Sequence, residues 1–125
     1  MTQAVEANPY APQIARLSRV IEETPTIKTF CFDLEEPLQF RAGQFVQLGV
    51  PGLGEGPFTP SSSPLEPSHL EVTVLRTGEV TDRLHRMEAG DACTLRGPYG
   101  KGFPVEKLDG KDVLVVGGGV GLAPL

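Results

Sequence analysis

From Thr26 to Leu34 the chain alternates: Phe30, Phe32 and Leu34 fall on one side, with Lys28 heading the row, and Thr29, Cys31 and Asp33 fall on the other. Successive side chains of a β-strand point to opposite faces, so this period of two predicts a strand with one buried face. The pattern recurs in Gln44 to Val50, where Val46, Leu48 and Val50 share a face, and in His69 to Arg76, where Leu70, Val72 and Val74 point inward and Glu71 and Thr73 outward. A strand from about Gln13 to Glu22 is also expected, with irregular alternation because Arg16 and Arg19 fall on opposite faces. Ala92 to Gly97 and the segment around Phe58 complete a set of six. Six short strands with turns between them predict an all-β, six-stranded antiparallel Greek-key barrel, because closing a sheet removes its exposed edges. One short helix interrupts them: Val80, Leu84 and Met87 recur at helical spacing, with Thr81 placed as N-cap and Gly90 as the C-terminal stop.

The stretch Gly56 to Pro64, Gly-Pro-Phe-Thr-Pro-Ser-Ser-Ser-Pro, breaks the strand pattern in an informative way. Pro57, Pro60 and Pro64 each remove a backbone donor, which confines the segment to an edge or rim. The hydroxyls of Thr59, Ser61, Ser62 and Ser63 beside the Phe58 ring suit a flat ligand that is stacked on its face and hydrogen-bonded at its edge, as a flavin is. A Ser/Pro-rich surface loop is the competing reading. A second feature follows the fifth strand, where Arg76-Thr77-Gly78 runs a cation and a glycine into the start of the helix. That order reads as an anion site, against the alternative of a plain capped helix.

The 125 residues, 39% hydrophobic and 22% charged with 15 Gly and 12 Pro, describe one turn-rich globular domain. A net charge of −5 argues against nucleic acid or an anionic membrane as partner. No run approaches a membrane span, and Met1 to Tyr10 lacks the features of a signal peptide, so a cytoplasmic location is expected. Cys31 and Cys93 are far apart in apolar stretches and read as buried, reduced thiols. His69 and His85 have no second ligand at a metal-site spacing, so no metal is assigned.

Past residue 110 the character changes. Val113-Leu114-Val115-Val116 is a continuous apolar run, as in a buried parallel strand, followed at once by Gly117-Gly118-Gly119-Val120-Gly121. Gly117, Gly119 and Gly121 read as the phosphate turn of a nucleotide-binding βα unit whose helix, second strand and ribose-reading acid are not in the sequence. The expected division is an arm at 1–12, a barrel at 13–110 and the first strand and glycine turn of an incomplete NAD(P)-binding domain at 111–125. With no partner strand, the run is expected to fray or to pair with a second copy as a homodimer, in preference to folding back on the barrel.

These motifs in order, with Gly78 to Thr81 as Gly-x-x-Thr, then Gly97-Pro98-Tyr99-Gly100 and Gly117 to Pro124, resemble the ferredoxin-NADP reductase superfamily. Asn8-Pro9-Tyr10, Ala42-Gly43-Gln44-Phe45-Val46-Gln47-Leu48 and Arg96-Gly97-Pro98-Tyr99-Gly100 are similar to the gamma, flavin-carrying subunit of cytoplasmic hydrogenases and sulfhydrogenases. The corresponding subunit of anaerobic sulfite reductase and the electron-transfer subunit of dihydroorotate dehydrogenase are similar relatives. The resemblance implies that the barrel binds FAD, that a following domain binds NAD(P)H, and that a [2Fe-2S] centre belongs to C-terminal sequence not present here. It implies Phe58, Thr59 and Ser61 around the flavin ring, Val74, Leu75 and Arg76 along it, and Gly78 and Thr81 at the pyrophosphate. The family's Arg-x-Tyr-Ser reads Gly56-Pro57-Phe58-Thr59 here, so one phosphate contact is missing. The expected function is the flavin module of an NAD(P)H-linked oxidoreductase that passes electrons to an iron-sulfur, hydrogenase or reductase subunit, these residues alone being incomplete for NAD(P)H turnover. No side chain is assigned as a proton-transfer catalyst. The rival is a flavin-free barrel that docks onto a redox complex.

Overall fold

The computed structural model describes residues 11–125, so most of the expected arm lies outside the described residues. The elements run β1 (Gln13–Thr24), β2 (Ile27–Leu34), β3 (Phe45–Val50), β4 (Gly54–Phe58), β5 (His69–Leu75), α1 (Glu79–His85) and β6 (Ala92–Tyr99), with two 3-10 turns at Val105–Leu108 and Gly119–Leu122. The six strands form one sheet in the order β4-β3-β6-β1-β2-β5, antiparallel at every pairing. The irregular alternation of β1 has a local cause. Leu17 pairs with Phe32 and Arg19 with Cys31, so Ser18 is an extra residue in a bulge, and its hydroxyl donates to the Cys31 carbonyl at 2.9 Å.

The inward rows agree with the alternation. Leu17, Phe30, Phe32, Val46, Leu48, Leu70, Val72, Val74 and Leu95 are buried in one cluster that Leu84 of α1 closes. Replacing Phe30 or Phe32 by alanine would cost about 3–5 kcal/mol at such sites. Lys28 lies at the head of its row and donates from Nζ to the His85 carbonyl at 3.0 Å, a cation at the C-terminal end of α1. His85 itself is buried, edge-on to Phe30, and its Nε2 donates to the Val74 carbonyl at 2.9 Å.

Three expectations need correction. The barrel is not closed by a ladder: β4 and β5 end the strand order, and among the described residues only a seam joins them. In the seam Ser61 N–H donates to the Glu71 carbonyl at 2.8 Å and Glu71 N–H donates to Ser62 Oγ at 2.9 Å. The prolines explain this, since β4 stops at Phe58 and Pro60, lacking a donor, follows it. The helix caps also differ: Gly78 is the N-cap, Thr81 is the third helical residue, and Arg86 is the C-cap. Gly90 comes later, at φ +98 in the turn before β6, and Met87 is buried just beyond the helix. Finally, 113–116 is not a strand but an exposed segment, with Leu114 at 88% exposure, because no described strand lies beside it to complete its hydrogen bonds. The glycine turn that follows contacts β5, so the end of the chain folds back on its own sheet.

Candidate functional site

The seam brings together Phe58, Thr59 and Ser61 of the residues singled out by sequence, beside the edge of β5. Phe58 is half-buried against the core beside Val80, and its ring covers Gly56 so closely that a β-carbon there would lie 3.3 Å from it. A side chain at the family's arginine position would therefore press on the ring, which would have to give by a few tenths of an ångström. Thr59 is half-buried and Pro60 buried. Ser61 turns inward to a hydroxyl row: Ser61 Oγ lies 3.2 Å from Thr73 Oγ1, Thr73 Oγ1 lies 2.8 Å from Thr29 Oγ1, and Thr29 donates to Glu23 Oε1 at 2.9 Å. A hydroxyl has one proton, so Thr29's bond to Glu23 fixes the direction of the row, with Thr73 donating to Thr29 and Ser61 to Thr73.

Thr73, Thr29 and Glu23 were not picked out by sequence reasoning. The signal was available, because Thr29 and Thr73 are outward positions of β2 and β5 and lie directly opposite each other in the ladder. This end of the row borders a cleft of about 240 Å³ whose far wall is Gly119, Val120, Leu122 and Ala123. Gly119 takes φ +60, and a β-carbon on Gly117 would lie 2.7 Å from Leu122 Cδ1 and 2.9 Å from Leu122 Cα. Those two glycines thus permit the tight return that brings the tail to β5, while Gly121 faces open space.

Along β5 the backbone supplies what the side chains do not. Both polar groups of Glu71 point to the seam, and the alternation of an antiparallel strand aims those of Thr73 and Leu75 at the same edge. Among the described residues no strand pairs with that edge. Val74 is different: its side chain is in the core and its carbonyl is taken by His85, so Leu75 and Thr73 face the open side. At the end of the strand, Arg76, Thr77, Gly78, Glu79 and Asp82 line an open depression of about 360 Å³. Thr81 Oγ1 accepts from both Thr77 N–H and Gly78 N–H at 2.8 Å and donates to the Gly78 carbonyl at 3.0 Å. The amides of Thr77 and Gly78 are thus held by this hydroxyl. Arg76 lies 3.7 Å from Asp82, which also pairs with Arg86 at 3.1 Å. A β-carbon on Gly78 would meet nothing within 4 Å, so space is open beside the guanidinium.

Both thiols are free, buried and pushed above the ordinary cysteine range, Cys31 by burial and the Glu71 carboxylate, Cys93 by burial to about 11. Reading ligand spacing along the chain missed one grouping: Cys31, His69 and Glu71 bring their ligand atoms within 4.8 Å of one another across β2 and β5.

The fold is an open-seamed antiparallel sheet with one short helix, and it sets an aromatic ring, a hydroxyl row and an arginine along one strand edge. Residues 15–103 match the family model described as the oxidoreductase FAD-binding domain, and the chain belongs to that family. It is 42% identical over 123 residues to the sulfhydrogenase 1 subunit gamma of Pyrococcus furiosus, covering 94% of this chain and 42% of that one. It is 40% identical to a probable dihydroorotate dehydrogenase B (NAD(+)) electron transfer subunit of Methanothermobacter thermautotrophicus, over 91% of this chain and 41% of the relative. The chain thus spans about two fifths of the length of these relatives. Among solved structures, the Amycolatopsis cytochrome P450 reductase superposes with a TM-score of 0.81 at 33% identity over 94% of this chain and 38% of its own. Phthalate dioxygenase reductase, at 15% identity and a TM-score of 0.71 over 91% of this chain and 37% of its own, shares the fold. No helix of the described residues is long and apolar enough to cross a membrane.

Proposed function

We propose that FAD lies along the free edge of β5, with its ring system between Phe58 and the row at Thr59 and Ser61, its polar edge on the backbone of Thr73 and Leu75, and its diphosphate at Arg76, Gly78 and Thr81. The observation that carries this reading is that one unpaired strand edge runs from the hydroxyl row to a guanidinium beside open space. A flat, hydrogen-bonding ring joined to a diphosphate has that sequence of needs. Bound there, FAD supplies two-electron uptake from a nicotinamide and one-electron release to an iron-sulfur partner. The chain's own work is to hold and orient. Phe58 offers a face, Ser61 and Thr59 offer hydroxyls, and Arg76 exchanges Asp82 for a phosphate oxygen. Gly56 leaves the family's arginine contact unfilled, so Arg76 carries more of the phosphate's charge.

Residues 13–110 act as the flavin unit, with 111–125 beginning the nicotinamide side and Gly117, Gly119 and Gly121 forming its turn. In this reading the whole protein is an NAD(P)H-linked electron-transfer subunit. Its partners are iron-sulfur, hydrogenase or reductase subunits in the cytoplasm, and any [2Fe-2S] centre is held by other sequence. What supports the assignment is that relatives are named as subunits of sulfhydrogenase and dihydroorotate dehydrogenase.

The test is a fluorescence titration of flavin-free protein with FAD and with FMN. FAD binds more tightly, and Arg76→Ala weakens FAD by about tenfold, the loss of one charge-assisted contact, while changing FMN less. Equal affinity for FMN and FAD would remove the diphosphate from the proposal. A colourless protein that resists reconstitution would leave the flavin-free docking module as the function.

A further inference from the structure

We infer that Cys31, His69 and Glu71 form a binding site for zinc or another divalent metal of the same borderline class, on the outer face of β2 and β5. The site is made by register and not by spacing along the chain. Cys31 lies directly opposite Glu71 in the ladder, and His69 is two residues before Glu71 on the same strand and therefore on the same face. The Cys31 Sγ lies 3.3 Å from Glu71 Oε1, and His69 Nε2 lies 3.4 Å from the same oxygen. Zinc bonds of about 2.3 Å to sulfur and about 2.0–2.2 Å to nitrogen and oxygen, in a tetrahedron, set neighbouring donors roughly 3.4–3.6 Å apart. Two of the three pairs already stand at about that separation and all three donor atoms lie within 4.8 Å of one another, with the Cys31 thiol donating to Glu71 and His69 beside the same carboxylate oxygen.

The chemistry is matched as well. A thiolate and a carboxylate together balance a dication, and a neutral imidazole completes a sulfur, nitrogen and oxygen set that favours zinc over magnesium or calcium. Cys31 is buried, whereas the side chains of His69 and Glu71 are 34% and 28% exposed, which gives an ion a way in from solvent. The donors are held from behind. Glu71 is fixed at both backbone groups by Ser61 and Ser62, and the Cys31 carbonyl is held by Ser18. Arg19, an exposed residue close enough to the thiol to favour its ionised form, is the competing cation. Asp33, opposite His69 in the ladder, adds negative charge on the approach. Three protein donors leave the fourth position to water. An ion there ties β2 to β5 next to the seam, and nothing in this inference depends on flavin.

The test is zinc binding to the reduced, full 125-residue chain, followed by competition with a chromophoric chelator at about pH 7.5, with cobalt(II) as a spectroscopic probe. One ion per chain is expected, with a thiolate-to-cobalt charge-transfer band. His69→Ala and Glu71→Gln each weaken binding by about tenfold or more, Cys31→Ser abolishes the band, and Cys93→Ser changes nothing. Binding releases the thiol proton, so affinity falls as pH is lowered from about 7.5 to about 6. His69→Ala and Glu71→Gln alter partly exposed side chains, so they test the site even if Cys31→Ser misfolds. Absence of stoichiometric zinc, undiminished binding by His69→Ala, or an equal loss in Cys93→Ser would overturn the assignment.

Discussion

The Thr81 hydroxyl holds the turn between β5 and α1, and its removal gives a sharp expectation. Thr81→Val keeps the shape and the branched β-carbon and removes only the oxygen. Three hydrogen bonds go with it, two from the amides of Thr77 and Gly78 and one to the Gly78 carbonyl. Those backbone groups belong to exposed residues, so water recovers part of the loss, and the remaining penalty is that of a helix cap, about 0.5–2 kcal/mol. With one kcal/mol lowering the melting point of a domain this size by about 4 °C, Thr81→Val should melt roughly 2–8 °C below the parent. Thr81→Ser, which keeps the oxygen, should melt within about 1 °C, serine and threonine being of similar helix propensity. The assay is thermal denaturation by circular dichroism, paired with FAD titration at a temperature where all variants are folded. FAD affinity should fall in the valine variant and recover in the serine variant, because the hydroxyl orders the two amides next to Arg76. A valine variant that melts with the parent would show that the hydroxyl does not hold the turn.

Three further outcomes are expected. Cys93 is raised to about 11 by burial, so it stabilises the fold at pH values below its unfolded value near 9 and that contribution is lost as pH rises through about 11; alkaline urea titrations should show a loss of up to about 3 kcal/mol that Cys93→Ala lacks. Gly43→Ala should lower the unfolding free energy by at least about 2 kcal/mol, read as a lower urea midpoint with unchanged slope, since Gly43 takes φ +90 and a β-carbon would lie 2.7 Å from Phe103 N and 2.8 Å from its ring; an unshifted midpoint would show that the turn yields. Once loaded with FAD, these 125 residues should be bleached anaerobically by dithionite but scarcely by NADH or NADPH. Proximity of nicotinamide to flavin is worth roughly 7–11 kcal/mol, and no described element beyond β6 provides a sheet to orient it, so rapid bleaching by either nucleotide would refute this.

Strands were legible because burial enforces alternation: Leu70, Val72 and Val74 are all in the core, and the irregular stretch at Arg16 to Arg19 marks a bulge. The helix was legible in existence but not in its ends. Thr81 looks like a cap because its oxygen does cap, reaching back from the third position to Gly78. The closure of the barrel was over-read, since a pattern of strands does not say whether the first and last meet, and Pro60 decides that they do not. In the candidate site, Phe58, Ser61 and Arg76 stand out by residue type, whereas Thr29 and Thr73 do not, because each is an ordinary strand threonine until the register places them opposite each other. The same applies to Cys31, His69 and Glu71, which are 38 and 40 positions from one another along the chain in the pairs Cys31–His69 and Cys31–Glu71.

The two borders of the seam are unequally guarded. On one side Pro57 lies within β4 and Pro60 just after it, and neither can offer an N–H to an approaching strand. On the other side β5 has no proline between His69 and Leu75, and the peptide groups of Thr73 and Leu75 point outward. Strand addition is therefore opposed at β4, while the edge of β5 offers the peptide groups of Thr73 and Leu75, those of Glu71 being taken by Ser61 and Ser62. Whatever occupies that edge in the working protein also shields the one stretch of the seam that prolines do not guard.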